Sequence, residues 1–310
     1  MDGREGLLRS VSRSFYLSLR FLPSPMRGPV SLGYLLARFS DTLADAPGLP
    51  EDERLGLLDD FRLVISGERD RLLGDPASLA GRLAHPGEQA LVSRADELVA
   101  AYRAQDPVLR ELLAEVLQTI LEGQVWDLTA FASGPAACAG TGDLLLYTHR
   151  VAGCVGEFWT KTAFATLEEG FADPDKFSSM LARGARLGQA LQLVNILRDL
   201  REDFARGRCY LPVDELRAAG WDGAGLPSSA MVEPVFQRWL WLCRDFLEKA
   251  ETYTKAVREP RVRFCTRLPM RLAEKTTRLL DEAGAERVLR ERIKIPRSAV
   301  WRSALWSALC

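Results

Sequence analysis

The sequence predicts an all-α fold, on three observations. Leu, Ala, Arg and Glu recur at three- and four-residue spacing from end to end, the period of an amphipathic helix. Short alternating runs of Val, Ile, Thr and Tyr, the mark of strands, are almost missing. Clusters of Pro and Gly divide the chain into segments of helical length. In order, the pattern runs from Pro29 to Asp45 and stops at Ala46-Pro-Gly-Leu-Pro; it resumes from Glu51 to Ser66, ahead of Gly74-Asp-Pro. Gly87 to Ala104 follows His85-Pro-Gly, and Asp106 to Phe131 is closed by Ser133-Gly-Pro. Thr141 to Thr166 ends before Gly170, and Pro174 opens a run to Phe204. The loop Gly220 to Pro227 precedes Pro234 to Val257, and Glu259-Pro separates that from Phe264 to Arg290. No composition shift and no repeat marks a boundary, so residues 1–310 read as one bundle-like domain.

Composition bounds the function. A chain of 310 residues, 47% hydrophobic and 27% charged, can bury a core without disulfide staples. Lys plus Arg (41) nearly cancel Asp plus Glu (42), and the net charge of −1 argues against a nucleic-acid partner. The longest charge-free stretch, Leu128 to Gly142, is interrupted by Gly134, Pro135 and Gly140, so no membrane-spanning helix is expected. The opening Met1-Asp-Gly-Arg-Glu lacks the basic and then apolar pattern of a secretory signal, and a cytoplasmic protein is expected. Six scattered cysteines without a CxxC pair, with His85 and His149 the two histidines, speak against a zinc or iron–sulfur site.

Two segments set carboxylates four residues apart on otherwise apolar helices. Between Tyr34 and Asp45, about 100° per residue places Tyr34, Arg38, Asp41 and Asp45 within a sector of roughly 60°. Between Gln192 and Asp203, the residues Gln192, Asn195, Asp199 and Asp203 fall within about 80°, flanked by Leu191, Leu193, Val194, Ile196 and Leu197. Like charges one turn apart destabilise an isolated helix by roughly 0.2–0.5 kcal/mol, so each pair needs a compensating partner. Mg²⁺ is one such partner, because it binds one or two carboxylates together with water and substrate phosphate oxygens. Two such helices face to face would make a diphosphate site. Solvated salt bridges to Arg38, Arg198 and Arg201 are the other compensation. Two copies, with amide and tyrosine on the same faces, favour the metal.

Further stretches fall in the same frame: Ser12-Arg13-Ser14-Phe15, Gly123-Gln-Val-Trp-Asp127-Leu128, Tyr147 through Gly156, and Gly207-Arg208-Cys-Tyr-Leu-Pro212. Together with Tyr34 to Asp45 and Gln192 to Asp203, they make the chain resemble the head-to-head prenyl synthases, the family of squalene and phytoene synthases. The matches span most of the chain in the family's order. The resemblance implies an isoprenoid-synthase helical bundle with a central active-site cavity, in which Asp41, Asp45, Asn195, Asp199 and Asp203 hold Mg²⁺ against prenyl diphosphates. It likewise implies substrate contacts from Ser12, Arg13, Arg38, Gln192, Asn195, Arg198 and Arg208, where a planar guanidinium suits phosphate. Tyr34 and Tyr147 are implied active-site tyrosines, one of them a candidate proton acceptor in cyclopropane formation. On its own residues Tyr147 reads equally as a hydrogen-bonded core tyrosine. His149 should point about 200° away from it and reads as structural. Asp127 is either an acid behind the metal ligands or helix surface, and Gln124 stands where the family usually has Met. Phe158 and Trp159 either line the hydrocarbon pocket, their ring faces stabilising carbocations, or belong to the core.

The implied reaction joins two allylic diphosphates. Loss of one diphosphate gives a cation, the second substrate's double bond attacks, and proton loss closes a cyclopropane. Squalene synthases then add hydride from NADPH, phytoene and dehydrosqualene synthases lose a proton, and a bacterial branch adds water to give hydroxysqualene. Val155-Gly-Glu-Phe-Trp159, and Phe264-Cys265 ahead of Leu268-Pro269 with one extra residue, lean towards a bacterial squalene synthase using farnesyl diphosphate and NADPH. With no GxGxxG after a strand, NADPH would bind without a Rossmann unit. Presqualene diphosphate, hydroxysqualene and phytoene or dehydrosqualene synthases are the alternatives, with a non-catalytic isoprenoid-binding relative as the alternative class; the four aspartates speak against the last. At the carboxyl terminus, Ile293, Val300, Trp301, Ala304, Leu305 and Ala308 form an apolar helical stripe beside Lys294, Arg297 and Arg302. Either Trp301 and Trp306 dock the chain peripherally on a membrane, or both tryptophans pack on the domain.

Overall fold

The computed structural model describes residues 2–12, 15–72, 74–132 and 134–294. Among these the chain is helical and strand-free, with one isolated parallel bridge between Ala136 and Cys209, and no helix is long and apolar enough to cross a membrane. Arg13, Ser14 and the carboxyl-terminal stripe from Val300 onward lie outside the described residues. The chain divides into two compact units, one of the residues up to Leu128 with Phe158–Phe171, the other of Thr129–Glu157 with the residues from Ala172 on.

The first unit contains α1 (Asp2–Val11), α2 (Phe15–Phe21), α3 (Ser24–Ala44), α4 (Glu51–Ser66), α5 (Pro76–Ala80), α6 (Pro86–Val92), α7 (Ala95–Arg103) and most of α8 (Pro107–Thr129). Helix α3 is its hub, packed on α1, α2, α4, α6 and α7. It buries Leu32, Leu35, Leu36, Phe39 and Leu43 at helical spacing, each such side chain contributing roughly 1.5–3 kcal/mol. Phe39 meets Phe61 of α4 edge to face at 5.1 Å. Gly33 marks a close approach: a Cβ there would lie 3.0 Å from Leu113 and 3.1 Å from Phe158, so Phe158 belongs to the core. Helix α3 starts before Pro29, which sits in its second turn and forfeits a single intrahelical hydrogen bond. The pattern from Gly87 to Ala104 is two helices rather than one, parted at Ser93 and Arg94, and His85 caps the first by accepting from Gly87 N–H at 3.2 Å.

The second unit contains α9 (Thr141–Thr148), a π-helical turn (His149–Gly153) and the first turn of α10 (Cys154–Leu167), whose remainder from Phe158 belongs to the first unit, then α11 (Phe177–Arg198), α12 (Leu200–Ala205), α13 (Val213–Ala218), α14 (Ser229–Ala256) and α15 (Pro260–Arg290). Helices α11, α14 and α15 pack on one another. Leu193 and Leu197 of α11, Phe236, Trp239 and Leu240 of α14, and Val262 and Met270 of α15 are fully buried there. Two expected continuous helices are interrupted: Thr141 to Thr166 by the π turn, and Pro174 to Phe204 by a 3₁₀ turn at Pro174–Lys176 and by Asp199. Helix α15 bends at Gly284 (φ 66°, ψ 169°), and Glu233 of α14 caps the restart by accepting from Ala285 N–H at 2.6 Å.

Candidate active site

In the first unit, α3 presents Tyr34, Arg38, Asp41 and Asp45 on the face opposite its buried stripe. The end of α1 reaches this face: the Tyr34 hydroxyl donates to the Val11 carbonyl at 3.3 Å, and the buried Ser12 hydroxyl donates to the Leu8 carbonyl at 2.5 Å. Arg38 divides its guanidinium between two acids, Nη1 donating to Asp41 Oδ2 at 2.5 Å and Nη2 to Glu88 Oε1 of α6 at 2.8 Å. Its Nε is buried with no hydrogen-bond partner among the described residues. Asp45 is the C-cap of α3, exposed, with its N–H bonded to Asp41 O at 2.9 Å. Asp41 feels opposed influences. Burial of the carboxyl and the neighbouring Asp45 charge push it up, the Arg38 ion pair pulls it down, and the balance lies at about 6. That upward push holds although 42% of the side chain still meets solvent, because the crowding is local to the carboxyl.

In the second unit, Gln192, Asn195, Asp199 and Asp203 keep one stripe although the helix breaks. Asp199 leaves helical geometry (φ −96°, ψ 10°), yet Asp199 N–H bonds to Asn195 O at 2.9 Å and Asp203 N–H to Asp199 O at 3.0 Å, so the four-residue register carries through. Asn195 Nδ2 donates to Gln192 Oε1 at 3.3 Å, and Arg198 grips Asp199 with two hydrogen bonds of 2.8 and 2.6 Å. Arg208 follows directly, its N–H bonded to Asp203 O at 2.8 Å. Its guanidinium lies 5.3 Å over the Phe131 ring, Phe131 meets Tyr210 edge to face at 5.1 Å, and Tyr210 stacks on Tyr147 at 5.2 Å. Arg208 and Tyr147 therefore belong to one aromatic cluster.

Glycines bring the Tyr147 segment onto α11. A Cβ on Gly156 would stand 2.0 Å from Gly184 O, and one on Gly188 would stand 2.1 Å from Ala152 O, so the two backbones touch. His149 packs over Gly153, with Nδ1 2.7 Å from that residue's Cβ position. Glu88 beside Arg38 in the first unit, and Phe131, Tyr210 and Gln189 around the Tyr147 segment in the second, were not singled out from sequence. Tyr210 stood inside a quoted motif, whereas nothing periodic ties Glu88 to a helix fifty residues away.

Asp41, Asp45, Asn195, Asp199 and Asp203 are oxygen donors throughout, the hard set that suits Mg²⁺. Cys209, beside this stretch, is buried, and burial pushes its thiol pKa up to about 12, so without a metal it stays protonated. Among the described residues no three His, Cys, Asp or Glu side chains form a closed metal cage, so a bound ion would draw its remaining oxygens from water or a phosphate.

The squalene/phytoene synthase family model matches residues 8–299. The chain is similar to presqualene diphosphate synthase of Zymomonas mobilis, 30% identical over 259 residues that cover 82% of this chain and 73% of that protein. It is 32% identical to phytoene synthase of Mycobacterium tuberculosis over 216 residues, 70% of this chain and 58% of the other. The structure of TcSQS with the ligand E5700 superposes with a TM-score of 0.79 at 22% identity, over 98% of this chain and 85% of that one, which shows a shared fold.

Proposed function

Because the chain belongs to the squalene/phytoene synthase family, we propose that it joins two farnesyl diphosphates head to head and carries the cyclopropyl diphosphate on to squalene with hydride from NADPH. The observation that supports a diphosphate chemistry best is the repetition of one device: a stripe of oxygen donors with an arginine ion-paired into it, at Arg38 with Asp41 and at Arg198 with Asp199. Mg²⁺, held at Asp41 and Asp45 on the one face and at Asn195, Asp199 and Asp203 on the other, would stabilise the charge that develops on a leaving diphosphate.

The chain's own residues do the remaining work. Arg38, Arg198 and Arg208 bind diphosphate oxygens, and the buried Nε of Arg38, without a partner among the described residues, is a donor a phosphate oxygen would satisfy. Arg13 and Ser12 extend that set, and Gln192 with Asn195 orients the substrate beside Asp199. Tyr147, buried among aromatic rings, would relay the proton lost as the cyclopropane closes, its hydroxyl accepting that proton as it gives its own to an oxygen of the released diphosphate; its buried setting keeps water from the cation. Tyr34, its hydroxyl tied to the end of α1, stands one turn ahead of Arg38 on the same face as an active-site tyrosine. The described residues hold no strand and so offer NADPH no strand-based dinucleotide unit.

A second reading ends the reaction at presqualene diphosphate, and the 30% identity to a presqualene diphosphate synthase favours it. Incubation of the purified chain with farnesyl diphosphate and Mg²⁺, with and without NADPH, followed by product mass spectrometry, separates the two. Squalene made only with NADPH supports the first; presqualene diphosphate unchanged by NADPH supports the second. Hydroxysqualene or a conjugated triene would indicate the water-adding or proton-losing branches. No release of diphosphate would overturn the catalytic reading in favour of a binding protein.

A further inference from the structure

We propose that Gln189 is a positioning residue for Tyr147, acting through the π turn that follows it; this rests on the reading of the chain as a head-to-head prenyl synthase. Gln189 stands on α11, one turn ahead of Gln192, between the buried residues Gly188 and Ala190, and is 5% exposed. A carboxamide buried there costs free energy unless both of its groups are paired. Both are. Nε2 donates to the Leu145 carbonyl at 2.9 Å, and Oε1 accepts from Arg186 Nη1 at 3.0 Å. Arg186 lies 4.7 Å over the Phe246 ring of α14, which fixes the amide with its oxygen towards the cation and its nitrogen towards the carbonyl.

The acceptor is informative. Leu145 comes two residues before Tyr147, and its carbonyl also receives the N–H of His149, the first residue of the π turn. At the other end of the turn, Gln189 Cγ lies 3.1 Å from the Cβ position of Gly153. One side chain thus touches both ends of the segment in which hydrogen bonding widens. A π turn carries one residue more than an α turn and is the less favoured geometry, so it persists where its surroundings hold it. Relaxing it to α-helical register would rotate Tyr147 by about 100° relative to α10, away from its stack on Tyr210. Gln189 pins the turn from α11 and so keeps Tyr147 in register with the carboxylates at the end of that helix.

The test uses the full chain with Gln189→Met, which removes both hydrogen bonds at nearly constant volume, and Gln189→Glu, which keeps the Arg186 partner but loses the donor to Leu145. Amide hydrogen exchange across residues 149–154 is expected to quicken at least tenfold in both folded variants. With farnesyl diphosphate and Mg²⁺, KM is expected to stay within twofold, while formation of cyclopropyl-derived products falls about tenfold and water-captured prenyl alcohol rises in their place. Unchanged exchange with an unchanged product ratio overturns the proposal. So does a uniform loss of diphosphate release with the ratio intact, which would mark a purely structural glutamine. If the unaltered chain releases no diphosphate, the functional reading fails by itself, and the exchange arm still decides whether Gln189 pins the turn. Should Gln189→Glu fail to fold, Gln189→Met carries the test alone.

Discussion

Arg38 and Asp41 are three residues apart on one helix, and that spacing announces both roles weighed from sequence, a salt bridge and a phosphate or metal contact. The structure shows the pair formed and adds what spacing cannot give, the Glu88 carboxylate on Arg38 and the crowding that pushes Asp41 up to about 6. A carboxyl whose folded pKa exceeds its unfolded value of 3.8 binds a proton in the fold that the unfolded chain has released. Its stabilising share is therefore complete below about pH 4 and is lost as pH rises towards 6. Asp41→Asn is accordingly expected to raise the melting temperature of the chain at pH 7.5 in chelator, with the two curves converging near pH 4; a lower melting temperature at pH 7.5 would show that the Arg38 pair outweighs the crowding. The same proton competes with a metal, so the Mg²⁺ affinity of the unaltered chain, measured by calorimetry, should weaken as pH falls through 6. Asp199→Asn is expected to lower turnover by orders of magnitude while leaving helicity unchanged. A fully active Asp199→Asn enzyme would reduce the second carboxylate stripe to a salt-bridged surface.

Helical patterning was legible wherever apolar residues recur without interruption, as in α3, α4, α8 and α14. It failed where backbone geometry departs from 3.6 residues per turn for reasons outside the local sequence. The π turn at His149–Gly153 looks helical in sequence because its residues are helix-compatible; the reason for it lies on α11, at Gly184, Gly188 and Gln189. Short helices such as α5 and α13 were invisible because one or two turns carry no period. The close crossing makes a contrast that stability measurements can read. Gly156→Ala and Gly188→Ala drive a methyl to 2.0 and 2.1 Å from a backbone carbonyl oxygen, which cannot rotate away, so each is expected to cost about 1–3 kcal/mol or more. Gly56→Ala, on an exposed position of α4 with nothing within 4 Å, should instead stabilise by about 0.5–1 kcal/mol. Equal melting temperatures for Gly188→Ala and the unaltered chain would mean that α11 and the π turn separate freely.

For the molecule as a whole, the family was legible because six motifs recur in order, and motif order survives at an identity of 30%. The product was not, since it depends on which groups surround a cation after its first capture, and those contacts join residues distant in sequence. Solubility sets a further demand. On the proposed reaction the substrates carry charged diphosphates and the hydrocarbon product does not, and a chain with net charge −1 offers such a product no general route into water. The sequence beyond Pro296 combines Trp301 and Trp306 with Arg297 and Arg302, the pairing of aromatic and basic residues that favours a lipid interface. In α2, Leu17 is 43% and Phe21 52% exposed, a second apolar surface. Co-sedimentation with vesicles of mixed anionic and zwitterionic lipid should therefore pellet part of the full chain, and less at high salt as screening weakens the basic contacts. A chain ending at Pro296 should remain in the supernatant. Equal pelleting of both would move the contact to α2, and no pelleting of either would leave product release to another carrier.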